Sequence, residues 1–212
     1  MQHLDDDTLT EHGLAVAAAT GRVLLIACGA LAREILDLKA ANGWLHLDLT
    51  CLPAKYHLYP DKITDAVREA VTKHQDDYAA IFVVYADCGT GGQLEAACAE
   101  LGVEMIPGPH CYSFFEGNDR FAGNDDSLGT FYLTDFLVRQ FDAFIIKPMG
   151  LDRHPELRDM YFAHYDKLVY QAQTDDPALT EKAKACADRL GLAFERRFTG
   201  YGDLATALQK LS

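Results

Sequence analysis

Four short apolar runs, each followed by a segment with helical periodicity, occupy the first half of the sequence. The first run, RVLLIAC, leads into GALAREILDLKAANG, whose apolar residues recur every three or four positions before a glycine. Strands that alternate with helices in this way run parallel, because each crossover helix returns the chain to the same end of the sheet. The pattern therefore predicts an α/β fold with a doubly wound, mostly parallel sheet. The four runs span residues 22–28, 45–51, 79–85 and 103–108.

The second half of the sequence repeats this pattern only in part. Residues 129–146, GTFYLTDFLVRQFDAFII, are mostly apolar and are interpreted as one long helix. The segments KLVYQA, a helix from about 178 to 190, LAFERRF and a final helix are typical of another βα repeat. We expect residues 1–20 to be a loosely attached polar lead-in, and 21–212 to form a single α/β domain with a helical insertion. An alternative places a second lobe at 129–212.

The charge and hydropathy of the chain exclude some classes of partner. The formal net charge is −13 at pH 7, which disfavours binding to nucleic-acid phosphates or to an anionic lipid surface. No stretch reaches the roughly 20 apolar residues that a membrane span needs. The first residues, MQHLDDDTLTEHG, are acidic and do not resemble a signal peptide. We therefore expect a cytoplasmic protein that binds neither nucleic acid nor a membrane.

Four of the six cysteines fall where the predicted strands end. Ligands of an open parallel sheet bind outside the carboxyl ends of its strands, so these cysteines mark a candidate site. A reducing cytoplasm does not favour a disulfide framework, so they are interpreted as core residues, metal ligands or reactive thiols. The remaining two, Cys98 and Cys186, lie on apolar helix faces and are interpreted as core residues. At the strand ends are Cys28, Cys51, Cys88 and the pair His110–Cys111.

The first chemistry that this set favours is a metal centre. Thiolates with one imidazole suit zinc, cobalt or an iron–sulfur cluster. Zinc is preferred over an iron–sulfur cluster, because the ligands are dispersed along the chain and one is a histidine. The candidate metal ligands are Cys28, Cys88, His110 and Cys111.

Two other chemistries and one structural interpretation stay open. Cys88 could be the nucleophile of a metal-free enzyme, with His110 as its base, because a helix N-terminus lowers the pKa of a thiol. The amides of Gly89, Gly91 and Gly92 could hold a phosphate, although GTGG does not match the GxGxxG or GxxxxGK patterns. Alternatively, all the cysteines are buried core residues.

Further polar residues follow the same predicted strands. His57, in AKYHLYPDK, and Glu116, in HCYSFFEGN, are candidate catalytic residues. Asp87, beside Cys88, either orients a ligand or caps the following helix. Glu34, one turn into the first helix, is interpreted as a solvated surface residue rather than part of the site.

Five motifs together resemble domain-of-unknown-function family 1638, over about residues 22–200. They are ACGALAREI, TCLPAKYHLYPDKI, YADCGTGG, IPGPHCYSFFEG and GTFYLTDF, and they are most similar to the alphaproteobacterial branch of the family. Distant members have a CG-type first loop, a GLCGNG-type third loop and HDC in place of HC. The resemblance therefore implies roles for Cys28, Cys88, His110 and Cys111. Cys51 is matched less well, whereas a histidine ahead of a proline, here His57, is retained.

What the resemblance implies about function concerns methyl transfer. Genes of this family are similar in setting to those of corrinoid-dependent methyltransferase systems, which suggests one-carbon or methylamine metabolism and a corrinoid protein or methyltransferase as partner. A thiolate-bound zinc ion activates thiols for alkylation. We expect a metal-binding protein that serves corrinoid-linked methyl transfer on a small-molecule substrate. A non-enzymatic partner or chaperone of a corrinoid protein is the alternative.

Overall fold

The computed structural model describes residues 5–15, 22–124 and 129–211. These residues form two compact units, the first within 1–111 and 204–212 and the second within 112–203. Each unit contains a parallel β-sheet, and helices connect successive strands. The predicted α/β fold is therefore confirmed. The second unit begins at residue 112, whereas the sequence suggested 129 as the start of a second lobe.

The sheet of the first unit has four parallel strands in the order β2-β1-β3-β4. In its two central strands, the last five residues of β1 and the last three of β3 are buried, as expected for continuous apolar runs. Because β1 lies between β2 and β3, the chain turns to one side of β1 and then to the other, which is a doubly wound order. The strands are β1 (Val23–Cys28), β2 (Leu47–Leu52), β3 (Ala80–Val84) and β4 (Glu104–Met105).

Glycines end two of the helices that cover this sheet. Gly43 and Gly102 have φ angles of +67° and +68°, the left-handed conformation that commonly terminates a helix. In the third helix, Val67 and Val71 are one turn apart and are both buried. The helices are α1 (Asp6–Glu11), α2 (Ala32–Asn42), α3 (Ile63–His74) and α4 (Gln93–Leu101), with 3₁₀ turns at Gly29–Leu31, Ala54–Leu58 and Pro60–Lys62.

The described part of the N-terminal lead-in packs against the first unit. Leu9 of α1 is only 1% exposed. The backbone of Leu14 exchanges two hydrogen bonds with Cys51, at 2.8 and 2.7 Å. Residues 5–15 are therefore attached by burial and by backbone hydrogen bonds, in contrast to the loose attachment expected. Residues 1–4 and 16–20 of the expected lead-in lie outside the described residues.

The second unit contains three parallel strands in the order β5-β6-β7. Helix α9 (Pro177–Leu190) connects the last two strands; the side chain of Asp176 caps its first turn and Gly191 ends it. Alanines 183 and 187 of α9 are fully buried and pack with Leu168 and Tyr170 of the sheet. The strands are β5 (Thr130–Leu133), β6 (Lys167–Ala172) and β7 (Ala193–Phe198).

Residues 129–146 do not form the single long helix that the sequence suggested. Thr130–Leu133 is a strand, and the Thr134 side chain then accepts a hydrogen bond from the amide of Leu137 and caps a new helix. β-branched and aromatic residues favour the strand, and threonine favours the cap, so the local preferences change within the run. The other helical segments are α5 (Cys111–Glu116), α6 (Asn118–Ala122), α7 (Asp135–Arg139), a π-helix (Asp142–Ile146), a 3₁₀ turn (Pro155–Leu157), α8 (Arg158–Tyr161) and α10 (Gly202–Gln209).

Within the residues described, no helix combines the length and the apolar character needed to cross a membrane.

Candidate functional site

The doubly wound order of the first sheet places a switch point between β1 and β3. The connections leave the carboxyl ends of these two strands in opposite directions, which opens a crevice where ligands of such sheets bind. Cys28 is the last residue of β1, and Cys88 lies in the loop after β3. Cys28 and Cys88, which the sequence predicts at these strand ends, therefore lie beside the crevice.

Two backbone hydrogen bonds tie the loop after β3 to the loop after β4. The amide of Asp87 donates to the carbonyl of Gly108 at 3.0 Å, and the amide of Cys88 donates to the carbonyl of Pro109 at 3.1 Å. These bonds extend the parallel pairing of β3 and β4 beyond the strands. They hold Cys88 beside the segment that leads directly into Cys111.

Cys88 has an unusual backbone conformation. Its φ is +48°, and it is the only non-glycine residue in the described part of the chain with a positive φ. A side chain in this left-handed region costs roughly 1–2 kcal/mol relative to glycine. Strained residues of this kind concentrate at functional sites, because surrounding structure must hold them in place.

The thiols of Cys88 and Cys111 form a hydrogen-bonded pair. The hydrogen bond from the Cys111 thiol, helped by the amides of Cys111 and Ala86, holds the pKa of Cys88 below its ordinary value, although burial opposes this. The same bond, together with burial, raises the pKa of Cys111 well above its usual range. Of the pair, Cys88 is therefore the thiol that ionises more readily, and Cys111 is the hydrogen-bond donor. Both residues are partly exposed to solvent.

Cys28 lies next to this pair in a more buried setting. It is 8% exposed, and burial raises the pKa of its thiol to about 12. The charge of Cys88 adds to this rise, whereas the amide of Ala30 opposes it. The hydroxyl of Tyr85, a residue only 2% exposed, lies beside the Cys28 sulfur. At neutral pH, Cys28 is therefore a protonated thiol.

Two residues near Cys28 differ from what the sequence indicated. Tyr85 was not identified as a site residue, although it ends the third apolar run and so occupies the same edge as the cysteines. Glu34, interpreted as a solvated residue, is only 4% exposed and lies close enough to raise the pKa of both Cys28 and Cys51. Cys51 itself is buried, with its pKa raised chiefly by that burial.

The two candidate histidines also belong to this end of the first unit. His110 is partly buried; burial lowers its pKa, and the charge of Asp87 partly offsets this. His57 lies in the 3₁₀ turn Ala54–Leu58 and is an exposed residue. Desolvation of its ring by surrounding atoms and the charge of His110 lower its pKa. Both imidazoles are therefore neutral at pH 7. The side chain that donates a hydrogen bond to Cys88 is that of Cys111.

The amides that could have held a phosphate already bind a carboxylate of the chain. Asp87 accepts hydrogen bonds from the amides of Gly92 at 2.7 Å and Gly91 at 3.2 Å, and from the Thr90 hydroxyl at 2.8 Å. These bonds, and one from the amide of Gly89, lower the pKa of Asp87. The GTGG segment therefore serves as a stabilised loop around Asp87, and its amides are not available for the phosphate role suggested for Gly89, Gly91 and Gly92.

Glu116 belongs to the second unit, where it forms a buried ion pair. Its side chain is 3% exposed and accepts hydrogen bonds from Arg197 at 3.2 Å and Gln171 at 3.0 Å. Arg197 also pairs with Glu195, which in turn pairs with Lys167 at 2.9 Å. Through these contacts, Glu116 joins α5 to the strands of the second sheet.

A metal ion needs three or four donors that converge on one point. Cys28, Cys88 and Cys111 lie near enough for their charges to affect one another. However, in residues 5–15, 22–124 and 129–211, no group of three or more His, Cys, Asp or Glu side chains is arranged to hold a metal ion. The zinc or iron–sulfur centre suggested by the sequence therefore stays a prediction.

Sequence comparison places the chain in a family. Residues 51–208, well over half of the chain, match the family described as "Protein of unknown function (DUF1638)". The chain belongs to the DUF1638 family. The matched range of this DUF1638 member includes Cys88, His110 and Cys111, whereas Cys28 precedes it. None of the proteins with a curated description matches the chain.

One solved structure resembles this DUF1638 member at a low level. It is the ornithine carbamoyltransferase from Pyrococcus furiosus, with 13% sequence identity and a TM-score of 0.27. The similarity covers 84% of this chain but only 54% of the carbamoyltransferase, so the chain spans about half the length of that enzyme.

Proposed function

We propose that this protein is a thiol-dependent enzyme in which Cys88 is the nucleophile. The observation that carries the proposal is the hydrogen bond from the Cys111 thiol to Cys88, which favours the thiolate of Cys88. The thiolate, not the thiol, attacks electrophiles. The position of Cys88 at the switch point of a doubly wound sheet supports the same role.

Each polar group of the site has a distinct part in this reaction. The Cys88 thiolate attacks an electrophilic carbon of the substrate; a sulfur–carbon bond forms, and the leaving group departs with the electron pair of the broken bond. Cys111 keeps its proton and holds the thiolate in place. His110 is neutral and is the candidate base for a proton released when the Cys88 thiol ionises.

The finer proposal is that the transferred group is a methyl group and that the system is linked to corrinoid chemistry. It is supported by the family resemblance and by a nucleophile suited to alkylation. The direct probe is methylcobalamin, mixed without air with the reduced, chelator-treated protein. We expect one methyl group on Cys88 by mass spectrometry and none in Cys88→Ser. Methylation no faster than that of free cysteine would contradict a methyl-transfer role, whereas stable binding of a corrinoid protein without turnover would favour the non-enzymatic partner role.

A zinc–thiolate site is the second candidate, favoured by the approach of three thiols from three different strand ends. Cys28, Cys88 and Cys111, with His110, would supply its ligands. The test is elemental analysis of protein purified without air or chelator, with Cys88→Ser as the variant and Cys98→Ala as the matched control. About one zinc per chain in wild type and control, lost in Cys88→Ser, would support this candidate. Metal far below that level in all three would leave the metal-free nucleophile.

A further inference from the structure

The six cysteines differ sharply in their access to solvent. Cys28, Cys51, Cys98 and Cys186 are between 2% and 8% exposed. Cys88 and Cys111 are partly exposed, and they are the two whose thiols share a hydrogen bond. Cys88 and Cys111 are therefore the least buried of the six cysteines, and they lie together as a pair.

The backbone holds the two thiols opposite each other. The bonds from the amides of Asp87 and Cys88 to the carbonyls of Gly108 and Pro109 fix the two loops side by side. Cys111 follows Pro109 by two residues and begins α5. A disulfide requires two Cα atoms about 4.4–6.8 Å apart and side chains that face each other. The hydrogen bond between the two thiols shows that the side chains of Cys88 and Cys111 face each other.

We propose that Cys88 and Cys111 form a reversible disulfide, which gives this site a two-electron dithiol–disulfide exchange activity toward small-molecule disulfides such as oxidised glutathione. The proposal does not depend on alkyl transfer by Cys88. Oxidation would, however, consume the proposed nucleophile, so the two activities exclude each other on one molecule.

The exchange proceeds in two balanced steps. The Cys88 thiolate attacks one sulfur of glutathione disulfide; a mixed disulfide forms, and one glutathione leaves as a thiolate with the electron pair of the broken S–S bond. Cys111 then loses its proton to solvent or a nearby base and attacks the sulfur of Cys88, which releases the second glutathione. Two protein thiols are oxidised and one glutathione disulfide is reduced to two thiols.

Cys28 is a poor competitor for the second step. It is 8% exposed, and Tyr85 and the amide of Ala30 surround its sulfur. Among the described cysteines, Cys111 is the one whose thiol already donates a hydrogen bond to Cys88. The structure therefore favours Cys88–Cys111 over Cys28–Cys88 as the product.

The test is peptide mapping of the reduced, chelator-treated full chain after incubation with oxidised glutathione and blocking with N-ethylmaleimide. Cys88, Cys98 and Cys111 share one tryptic peptide, residues 74–120. A second cleavage after Glu95, Glu100 and Glu104 separates them. The expected result is a cross-linked pair of peptides that contain Cys88 and Cys111, which disappears on treatment with dithiothreitol.

Two variants make the result specific. Cys111→Ser should stop at the mixed disulfide of Cys88 with glutathione, whereas Cys98→Ala should form the cross-link as wild type does. A persistent mixed disulfide in wild type, a Cys28–Cys88 cross-link, or no reaction of Cys88 would each overturn the proposal. Failure of the disulfide proposal can be distinguished from failure of the nucleophile proposal. Alkylation of Cys88 is measured separately in Cys111→Ser, and that reaction needs no disulfide.

Discussion

At the scale of single residues, Cys88 combines a strained backbone with a stabilised thiolate. The sequence predicts where Cys88 lies, because an apolar run followed by a helix fixes the end of a strand. It does not predict the φ of +48° or the bond from Cys111, which depend on hydrogen bonds between loops about twenty residues apart along the chain. Nor does it predict that Tyr85 lies beside Cys28, because that contact depends on side-chain packing.

Replacing the donor to Cys88 should change its reactivity. In Cys111→Ala the thiolate loses a hydrogen bond, so the pKa of Cys88 should rise and its alkylation by iodoacetamide at pH 7 should slow by roughly tenfold. The midpoint of the pH–rate profile should move to higher pH. Cys111→Ser is the matched control, because its hydroxyl can still donate, and it should show a smaller shift. Identical profiles in wild type and Cys111→Ala would contradict the assigned hydrogen bond.

The strain at Cys88 predicts an ordering of two variants that both lack the thiol. Cys88→Gly should be more stable than Cys88→Ala by about 1 kcal/mol, because glycine adopts a positive φ without a Cβ penalty. Urea unfolding measures the difference directly. If Cys88→Ala were as stable as Cys88→Gly or more stable, Cys88 would not be held in the left-handed conformation.

At the scale of elements, the loop between β3 and α4 shows why a motif needs its context. The GTGG sequence suggests amides available to a ligand, but Asp87 accepts hydrogen bonds from the amides of Gly92 at 2.7 Å and Gly91 at 3.2 Å. The sequence left Asp87 open as either a capping or a ligand-orienting residue, and its contacts favour the capping role. The segment 129–146 shows the opposite limitation, since a nearly continuous apolar run concealed a strand, a cap at Thr134 and a short helix.

Removing the Asp87 carboxylate should destabilise the first unit. Asp87→Ala should lower the free energy of unfolding by about 1–2 kcal/mol, with Asp87→Asn in between because one oxygen acceptor remains. The pKa of Asp87 is lower in the folded state, so its stabilisation is present above its ordinary pKa of about 4 and is lost as the pH falls through the lowered value. The gap between wild type and Asp87→Ala should therefore narrow below about pH 4 in urea titrations. A gap that widens on acidification would contradict this account.

At the scale of the whole molecule, two α/β units and a formal net charge of −13 are the main features. The fold class could be predicted because strand and helix periodicities are local and the crossover rule follows from them. The unit limits at 112 and 203 could not, because they depend on which segments pack together. Glu116 was proposed as catalytic from its position alone; it forms an ion pair with Arg197 within the second unit, and its catalytic role stays a prediction.

The net charge should govern which reagents reach Cys88. Iodoacetate is anionic and iodoacetamide is neutral, so at low salt the protein should disfavour iodoacetate beyond the ratio seen for a small neutral thiol. Added salt screens this repulsion, and the excess should largely disappear near 0.5 M sodium chloride, where the Debye length falls to about 4 Å. The rates are measured at Cys88 by mass spectrometry. A ratio that does not change with salt would show that the charge of the chain does not act at this site.

The central claim is that Cys88 is the reactive thiolate of this protein, and site-resolved alkylation tests it most directly. Reduced wild-type protein, treated with chelator, is exposed to a limiting amount of iodoacetamide at pH 7, and the modified fraction of each cysteine is followed with time. Cys98, which is 2% exposed with its pKa raised by burial, is the internal reference. The account predicts that Cys88 is modified first, at least about tenfold faster than Cys98. Modification of Cys88 no faster than Cys98, or a faster reaction at Cys28, would contradict it.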